Sequence, residues 1–397
     1  MRRILDDIMS RKKIFLISLG VSLGAALLIL LPIFFLTRGE VAEPNEVYEV
    51  FAEEPPEEEP VERFVRIRVP LDWEYEGDDG SLPEGYTLSI LTGLPLHEDY
   101  AQRRPLAAVI NNIRRSLPQS GIASADVIYE VLAEGDVTRM VAIFQSYYPE
   151  KIGSIRSARD YFIDFAFNHD GILVFHGASP SGHNRIRNTR IDNVDGGAWE
   201  GRVFWRDRTY PHWALNTGTR PQEHSSYTGR EQMESHIEDR NIRSEIGDDP
   251  NFGFNFGELP EEIESLGIAH RVVVPFSSLY TRTFIFDEDT ELYMVEYQNG
   301  PLRDALTAEQ VSVTNILIQI TSVTRVAGDA EGRRNVVTTG SGRGYLVTGG
   351  EHFPVRWEKA SHTAPMRWYF EDDQPLILSA GRTWICVFQT TATVTFE

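Results

Sequence analysis

Cysteine is almost absent from this chain. Cys386 is the only one in 397 residues, so no intrachain disulfide can form and a small disulfide scaffold is excluded. Basic charge is also in deficit: 38 Lys and Arg stand against 59 Asp and Glu, a formal charge of −21. Binding to nucleic acid draws most of its affinity from counterions displaced by a basic surface, so no nucleic-acid partner is expected. No H-E-x-x-H, no G-x-x-x-x-G-K-[ST] and no period of 20–50 residues occurs. No metal and no cofactor is expected. What is present is a hydrophobic fraction of 41%, ordinary for a folded protein, over a length that predicts two or three domains.

The charge is unevenly distributed. Residues 1–39 carry a net +4, residues 40–62 a net −10 from ten Glu, and residues 63–397 the remaining −15. From Ile14 to Leu36 run 23 residues without a charge. As a helix they would reach about 34 Å, enough for the hydrocarbon core of a bilayer. Five Lys and Arg precede this run and only Arg38 follows it, which predicts a cytoplasmic N-terminus and an extracytoplasmic remainder. The run is longer than the apolar region of a cleaved signal peptide, and no small-residue cleavage site follows Leu36. The expectation is a signal anchor: residues 1–13 a cytoplasmic tail, 14–36 a single transmembrane helix in the lipid bilayer of the cell membrane. Glu repulsion and four prolines in 40–62 predict an extended spacer, part of an acidic and polar linker over 37–85 with one strand at Phe64–Val69.

Beyond the linker the patterns turn globular. Strands are predicted at Leu106–Ile110, Val137–Gln145 and Ile172–Phe175. The three- and four-residue spacing of Ile155, Ala158, Phe162, Phe165 and His169 predicts a helix, and a second, capped by Thr228, is predicted to run to about Asp239. Residues 240–267, rich in Asn, Asp, Gly and Glu, read as a junction between an N-terminal α/β domain (86–240) and a β-rich C-terminal domain (268–397). In the latter, strands are predicted at His270–Val274, Thr283–Phe286, Leu292–Tyr297, Val311–Ile320, Gly344–Val347 and Trp384–Phe388. Asn299-Gly300 and Gly349-Gly350 are turn signals, and the glycines of Gly340–Gly344 read as another turn.

Several phrases resemble a known family. Leu91-Thr-Gly-Leu-Pro95, Arg104–Asn112, Pro118-Gln-Ser-Gly121, Ala125–Glu130, Thr138-Arg139, Lys151–Arg159, Phe204-Trp-Arg-Asp207 and Pro211-His212 occur in order. They are followed by Gly342-Arg-Gly344, Trp357-Glu-Lys359 and Gly381–Ile385. Together they are similar to the YerB-like lipoprotein family, a two-part bacterial domain of unknown function (number 3048). The resemblance covers about 90 to 388. It implies a place on the outer face of a bacterial membrane and an α+β fold, a three-layer sandwich of two sheets and a helical layer. It implies no established reaction. The chain departs from the family in lacking a lipid-accepting cysteine after its apolar run.

Two constellations could carry chemistry. Asn111 and Asn112 end an apolar strand, Arg139 enters another, and Arg156 and Arg159 are three apart at the start of the predicted helix. With Arg208 they form a candidate site for the carboxylate or phosphate of an external ligand, through the planar guanidinium fork. The competing reading is an internal network in which Glu130, Glu134 and Asp160 pair with those arginines. The second constellation is His176, which directly follows a buried strand, with Asp207 and His212. In an envelope hydrolase Asp207 would orient His176 or His212 as general base for Ser179 or Ser181. Gly177-Ala-Ser-Pro-Ser181 lacks the last glycine of a nucleophile elbow, and a structural histidine at a strand end competes with this reading. Trp357, Trp368, Tyr369 and Trp384 read as core rather than as a sugar platform, and His352 and His362 have no evident partner. The expectation is a membrane-anchored extracytoplasmic protein that binds a cell-wall polymer, a small anionic ligand or an envelope protein, without a catalytic motif that would make it an enzyme.

Overall fold

The computed structural model describes residues 82–397 apart from 248, 249, 251 and 299. The expected anchor, spacer and first strand lie outside these residues. Among the described residues no helix is long and apolar enough to cross a membrane.

A large sheet dominates, because the chain supplies many runs of Val, Ile, Leu and Phe in strand-length blocks. Its core is Asn315–Thr321, Thr383–Gln389, Val127–Glu134, Val137–Phe144, Leu106–Asn111 and Ile172–Phe175, in that spatial order. Strands from both halves of the chain therefore share one sheet, joined where Thr383–Gln389 pairs in parallel with Val127–Glu134. On one flank lie Gly340–Thr348, Glu351–Lys359 and Gly267–Ile268, with Arg367–Phe370 also paired to Glu351–Lys359; on the other lies Asn193–Asp195. A second sheet of six strands is built around Arg271–Pro275, Thr281–Asp287 and Leu292–Tyr297. The fold is mostly β, of the α+β class.

The pleat decides what each face of the large sheet covers. Leu106, Ala108 and Ile110 pack in one cluster with Val272, Val274, Phe284 and Tyr293 of the second sheet. Their neighbours Ala107 and Val109 pack in another, with Tyr161, Phe162, Phe165 and Ala166 of the helix Asp160–Phe167. The strand Leu106–Asn111 is buried at all six positions, which explains its apolar run Leu106–Ile110.

Four local expectations need correction. The helix predicted from Ile155 begins only at Asp160. The backbone N–H groups of Ile155, Arg156 and Ala158 donate to the carbonyls of Ser226, Val109 and Gly177, so this segment is extended and laid against neighbouring strands. Thr228 is not a cap; it ends a short strand, its hydroxyl donates to the Val203 carbonyl, and the helix Arg230–Asp239 is preceded by Gly229. The glycines of 340–344 lie within a nine-residue strand, not a turn. A Cβ on Gly344 would sit 2.3 Å from the Ile318 carbonyl oxygen, and one on Gly342 would sit 2.7 Å from the Trp357 indole nitrogen. Close approach, not bending, requires them. The Gly349-Gly350 turn joins Gly340–Thr348 to Glu351–Lys359 with both residues at positive φ. Finally, His362 has a partner that sequence separation hid: its Nδ1 lies 2.8 Å from Oδ2 of the buried Asp164.

Candidate functional site

The C-terminal ends of Leu106–Asn111, Val127–Glu134 and Ile172–Phe175 fall on one edge of the large sheet, the place where side chains leave the core and meet solvent. Most of the candidate residues lie there, but they divide into groups.

Neighbouring residues Asn111 and Asn112 are separated by the pleat. Asn112 is fully buried and donates to Glu130 at 2.9 Å and to the Thr138 hydroxyl at 2.7 Å, while Gln119 donates to its carbonyl oxygen. Glu130 in turn accepts two bonds from Arg282, at 2.8 and 3.0 Å, a bidentate pair with both partners buried. Asn112 therefore belongs to an internal network and not to a cleft. Asn111 instead donates through Nδ2 to His224 Nδ1 at 2.9 Å.

Arg139 and Arg159 share one carboxylate. Each pairs with a different oxygen of Glu134, and each donates a further bond to a backbone carbonyl, Ser157 for Arg139 and Ala158 for Arg159. Burial alone would raise the Glu134 carboxyl, but the two guanidinium groups outweigh it and hold it below the ordinary carboxylate range. Burial, with the charge of Arg159, pushes Arg139 down to about 9. Glu130 and Asp160, the other acids expected to neutralise these arginines, are engaged elsewhere: Glu130 with Arg282, Asp160 with Ser181 and Arg185.

Arg156 makes no ion pair among the described residues. Because the segment is extended, residues three apart project to opposite sides, so Arg156 does not share the Glu134 contact, although that carboxylate stays within its electrostatic reach. It is half-buried, and its hydrogen bond goes from Nη1 to the Glu223 backbone carbonyl at 2.9 Å. Burial pushes its guanidinium down, and the charges of Glu134 and Glu223, set against those of Arg159 and Arg206, do not restore it. His224 and His176 both lie within its electrostatic reach, as does the Arg206–Glu200 pair.

The tautomers of these histidines follow from their neighbours. A guanidinium can only donate, so the 3.1 Å contact of Arg206 with His176 Nε2 makes that nitrogen the acceptor. Nδ1 then carries the proton and donates to Ser226 Oγ at 3.0 Å. Burial, then Arg206, lowers the His176 pKa and keeps it neutral. With Nε2 taken by a cation and Nδ1 already protonated, His176 has no lone pair free to remove a proton. His224 accepts from Asn111 at Nδ1 and so exposes an Nε2–H donor, and burial followed by Arg156 lowers its pKa too. Around Arg156 the protein thus presents donors, with the Glu223 carboxylate beside them, 3.8 Å from His224 Nε2.

The second constellation does not assemble. Asp207 is held by Lys151 and by the Thr209 amide and hydroxyl, at 2.8 and 2.6 Å. Burial would raise its carboxyl, but these partners bring it to about 2, and it orients neither imidazole. His212 is exposed and makes no hydrogen bond or ion pair with the described residues. Ser179 caps the helix Pro180–Thr189 by accepting from the Gly182 amide, and Ser181 donates to Asp160. Arg208 is exposed and donates to the Arg220 carbonyl, with no bond to Arg156, Arg206 or either histidine. Among the described residues no group of three or more His, Cys, Asp and Glu could hold a metal. Trp357, Trp368 and Trp384 are buried core, and Arg356 covers Tyr369.

Arg206, His224 and Ser226 were missed as site residues. Arg206 lies in a phrase already noticed, Phe204-Trp-Arg-Asp207, but nothing in the spacing of Gln222–Ser226 marks His224, whose partner Asn111 is 113 residues away.

The mostly β fold and the sequence both have counterparts among known proteins. Residues 91–243 match the family model described as Protein of unknown function (DUF3048) N-terminal domain, and 272–385 match the C-terminal domain of the same family. The chain belongs to this family. It is 30% identical over 300 residues to a Bacillus subtilis (strain 168) protein described as "Putative lipoprotein YerB", a match covering 74% of this chain and 84% of that one. The crystal structure of YerB from Bacillus subtilis is similar with a TM-score of 0.65 at 28% identity, covering 78% of this chain and 100% of that chain.

Proposed function

We propose that this is a membrane-tethered extracytoplasmic protein that binds the phosphate or carboxylate of an envelope ligand at Arg156. The observation that carries the reading is the unequal pairing of the arginines: Arg139 and Arg159 share Glu134 and Arg206 is bidentate on Glu200, whereas Arg156 makes no ion pair and hydrogen bonds to a carbonyl, with Glu134 and Glu223 only within electrostatic reach. An anion there would gain a charge-assisted bond from Arg156 and the Nε2–H of His224, in place of the Glu223 carboxylate that lies 3.8 Å from that nitrogen. Exposed Arg115, close enough to His224 to depress its pKa, would add long-range attraction.

The tether is the apolar run 14–36, with residues 1–13 in the cytoplasm and the layered two-sheet domain outside. The Bacillus relative is described as a lipoprotein, a class held at a membrane by an acylated cysteine. Here Cys386 is fully buried in the large sheet, so an uncharged 23-residue segment would do the work of the lipid. Protease added to intact cells is expected to degrade the bulk of the chain without lysis.

The site is tested by calorimetry of the full-length protein in nanodiscs against inorganic phosphate. Arg156→Ala is expected to weaken binding by about tenfold or more, roughly 1.4 kcal/mol, while Arg208→Ala leaves it unchanged. Equal heats for wild type and Arg156→Ala would remove the proposal.

A further inference from the structure

A separate cleft of about 460 Å³ opens between the one-turn helix Gly196–Trp199 with its following turn and one face of the helix Arg230–Asp239. That volume falls within the range of ligand pockets, roughly 300–1,000 Å³. Trp199 forms its aromatic wall. The indole is held by the His236 ring, 4.6 Å away at 64°, and by the Arg240 guanidinium, 4.9 Å from the ring centre.

The polar lining differs in kind from the surroundings of Arg156. Glu231, Gln232, Ser235 and Asp239 recur at helical spacing along one face, so two carboxylates, an amide and a hydroxyl point into one space. Arg202 and Arg240 balance the two carboxylates, leaving the cleft without net charge. Donors and acceptors are therefore both offered. The side chains of Arg202, Glu231, Gln232 and Ser235, exposed apart from half-buried Gln232, hydrogen bond to no other protein group among the described residues. His236 is only 6% exposed, lines the cleft, and its ring nitrogens also have no hydrogen-bond partner in the protein. Those nitrogens are open to water, whose place a ligand seated in the cleft could take.

With two carboxylates set against two guanidinium groups, the lining favours neither a net anion nor a net cation. A peptide strand would need an open sheet edge, which this cleft lacks. The chemistry that matches is a neutral pyranose: its C–H face packs on an indole, and its vicinal hydroxyls each donate and accept, as planar carboxylate, amide and guanidinium groups require. We infer that the Trp199 cleft is a saccharide subsite, taking one or two neutral pyranose rings of an oligosaccharide. The inference deepens the reading above by naming a glycan as the class of envelope ligand, and it rests on that reading only for the extracytoplasmic setting. Glu200 links the two places, since it follows Trp199 directly and pairs with Arg206 beside His176.

The test uses the full-length protein in nanodiscs, titrated with cellotetraose, chitotetraose and maltotetraose, and separately with inorganic phosphate. Saturable binding of at least one tetrasaccharide is expected, weakened about tenfold or more by Trp199→Ala and by Gln232→Ala, with phosphate binding unchanged in both variants. Gln232 lies on the helix surface, so its variant reports on the cleft even where loss of the indole disturbs packing. Absence of saturable binding by all three sugars up to roughly 10 mM, or equal affinity in wild type and Gln232→Ala, overturns the inference. If the sugars fail while phosphate still depends on Arg156, only the saccharide subsite falls; the reverse pattern removes the anion site and leaves this one standing.

Discussion

Several buried polar side chains in this protein are paired over long sequence distances, and their burial governs their titration. His169 is fully buried between Phe252 and Phe254, with Nε2 2.8 Å from the Tyr129 hydroxyl. Burial, with the charge of Lys359, pushes its pKa down to about 3, whereas in the unfolded chain it would titrate near 6.5. Between those values the unfolded state binds the proton and the folded state does not, so stability rises with pH and is lost as pH falls from about 6.5 toward about 3. His176 and His224, depressed in the same direction, add to this acid limb. Thermal melts from pH 7 to pH 4 are expected to show a steep loss. His169→Gln should lower the melting temperature at pH 7 yet flatten the pH dependence; a slope equal to wild type would contradict the assignment. None of this was readable in the sequence, where His169 appeared only as one more position of a helical period.

At the level of elements, several strands were legible to within a residue at either end. Leu106–Asn111, Val137–Phe144 and Ile172–Phe175 follow from short apolar runs bounded by polar residues, because a strand buried on both faces must be apolar throughout. The segment 155–159 carried helical spacing yet is extended, because its amides are taken by strands far away in sequence. That difference moved Arg156 off the face of Arg159 and created the candidate site. The Gly340–Thr348 strand makes the same point about glycine: Gly344 is required by the approach of the Ile318 carbonyl from the adjacent strand. Gly344→Ala is expected to destabilise the fold by about 1–3 kcal/mol in urea unfolding, since the obstacle is backbone and cannot rotate away. Gly349→Ala meets no atom within 4 Å and should cost less, only the strain of its positive φ. Equal losses for the two would rule out the packing explanation.

For the whole molecule, the joint between the sheets is the decisive feature. Glu130 on the large sheet and Arg282 on the second are 152 residues apart and form a buried bidentate pair, with Arg282 also over the Trp384 ring at 4.9 Å. Removing one partner leaves the other charge buried and alone, so Arg282→Met is expected to destabilise by about 3–5 kcal/mol in denaturant unfolding. Adding Glu130→Leu should recover part of that loss, and a double variant no more stable than the single would count against the pair as the cause. The amino-acid sequence alone determined the uneven charge, the uncharged 14–36 run, the apolar strand blocks and the order of family phrases, because each is a property of neighbouring residues. Only the tertiary structure decided that Arg156 makes no ion pair among the described residues, which tautomer His176 holds and what Trp199 faces. Those depend on which distant donors and acceptors the packed sheets bring within about 3 Å, a distance that spacing along the chain does not encode.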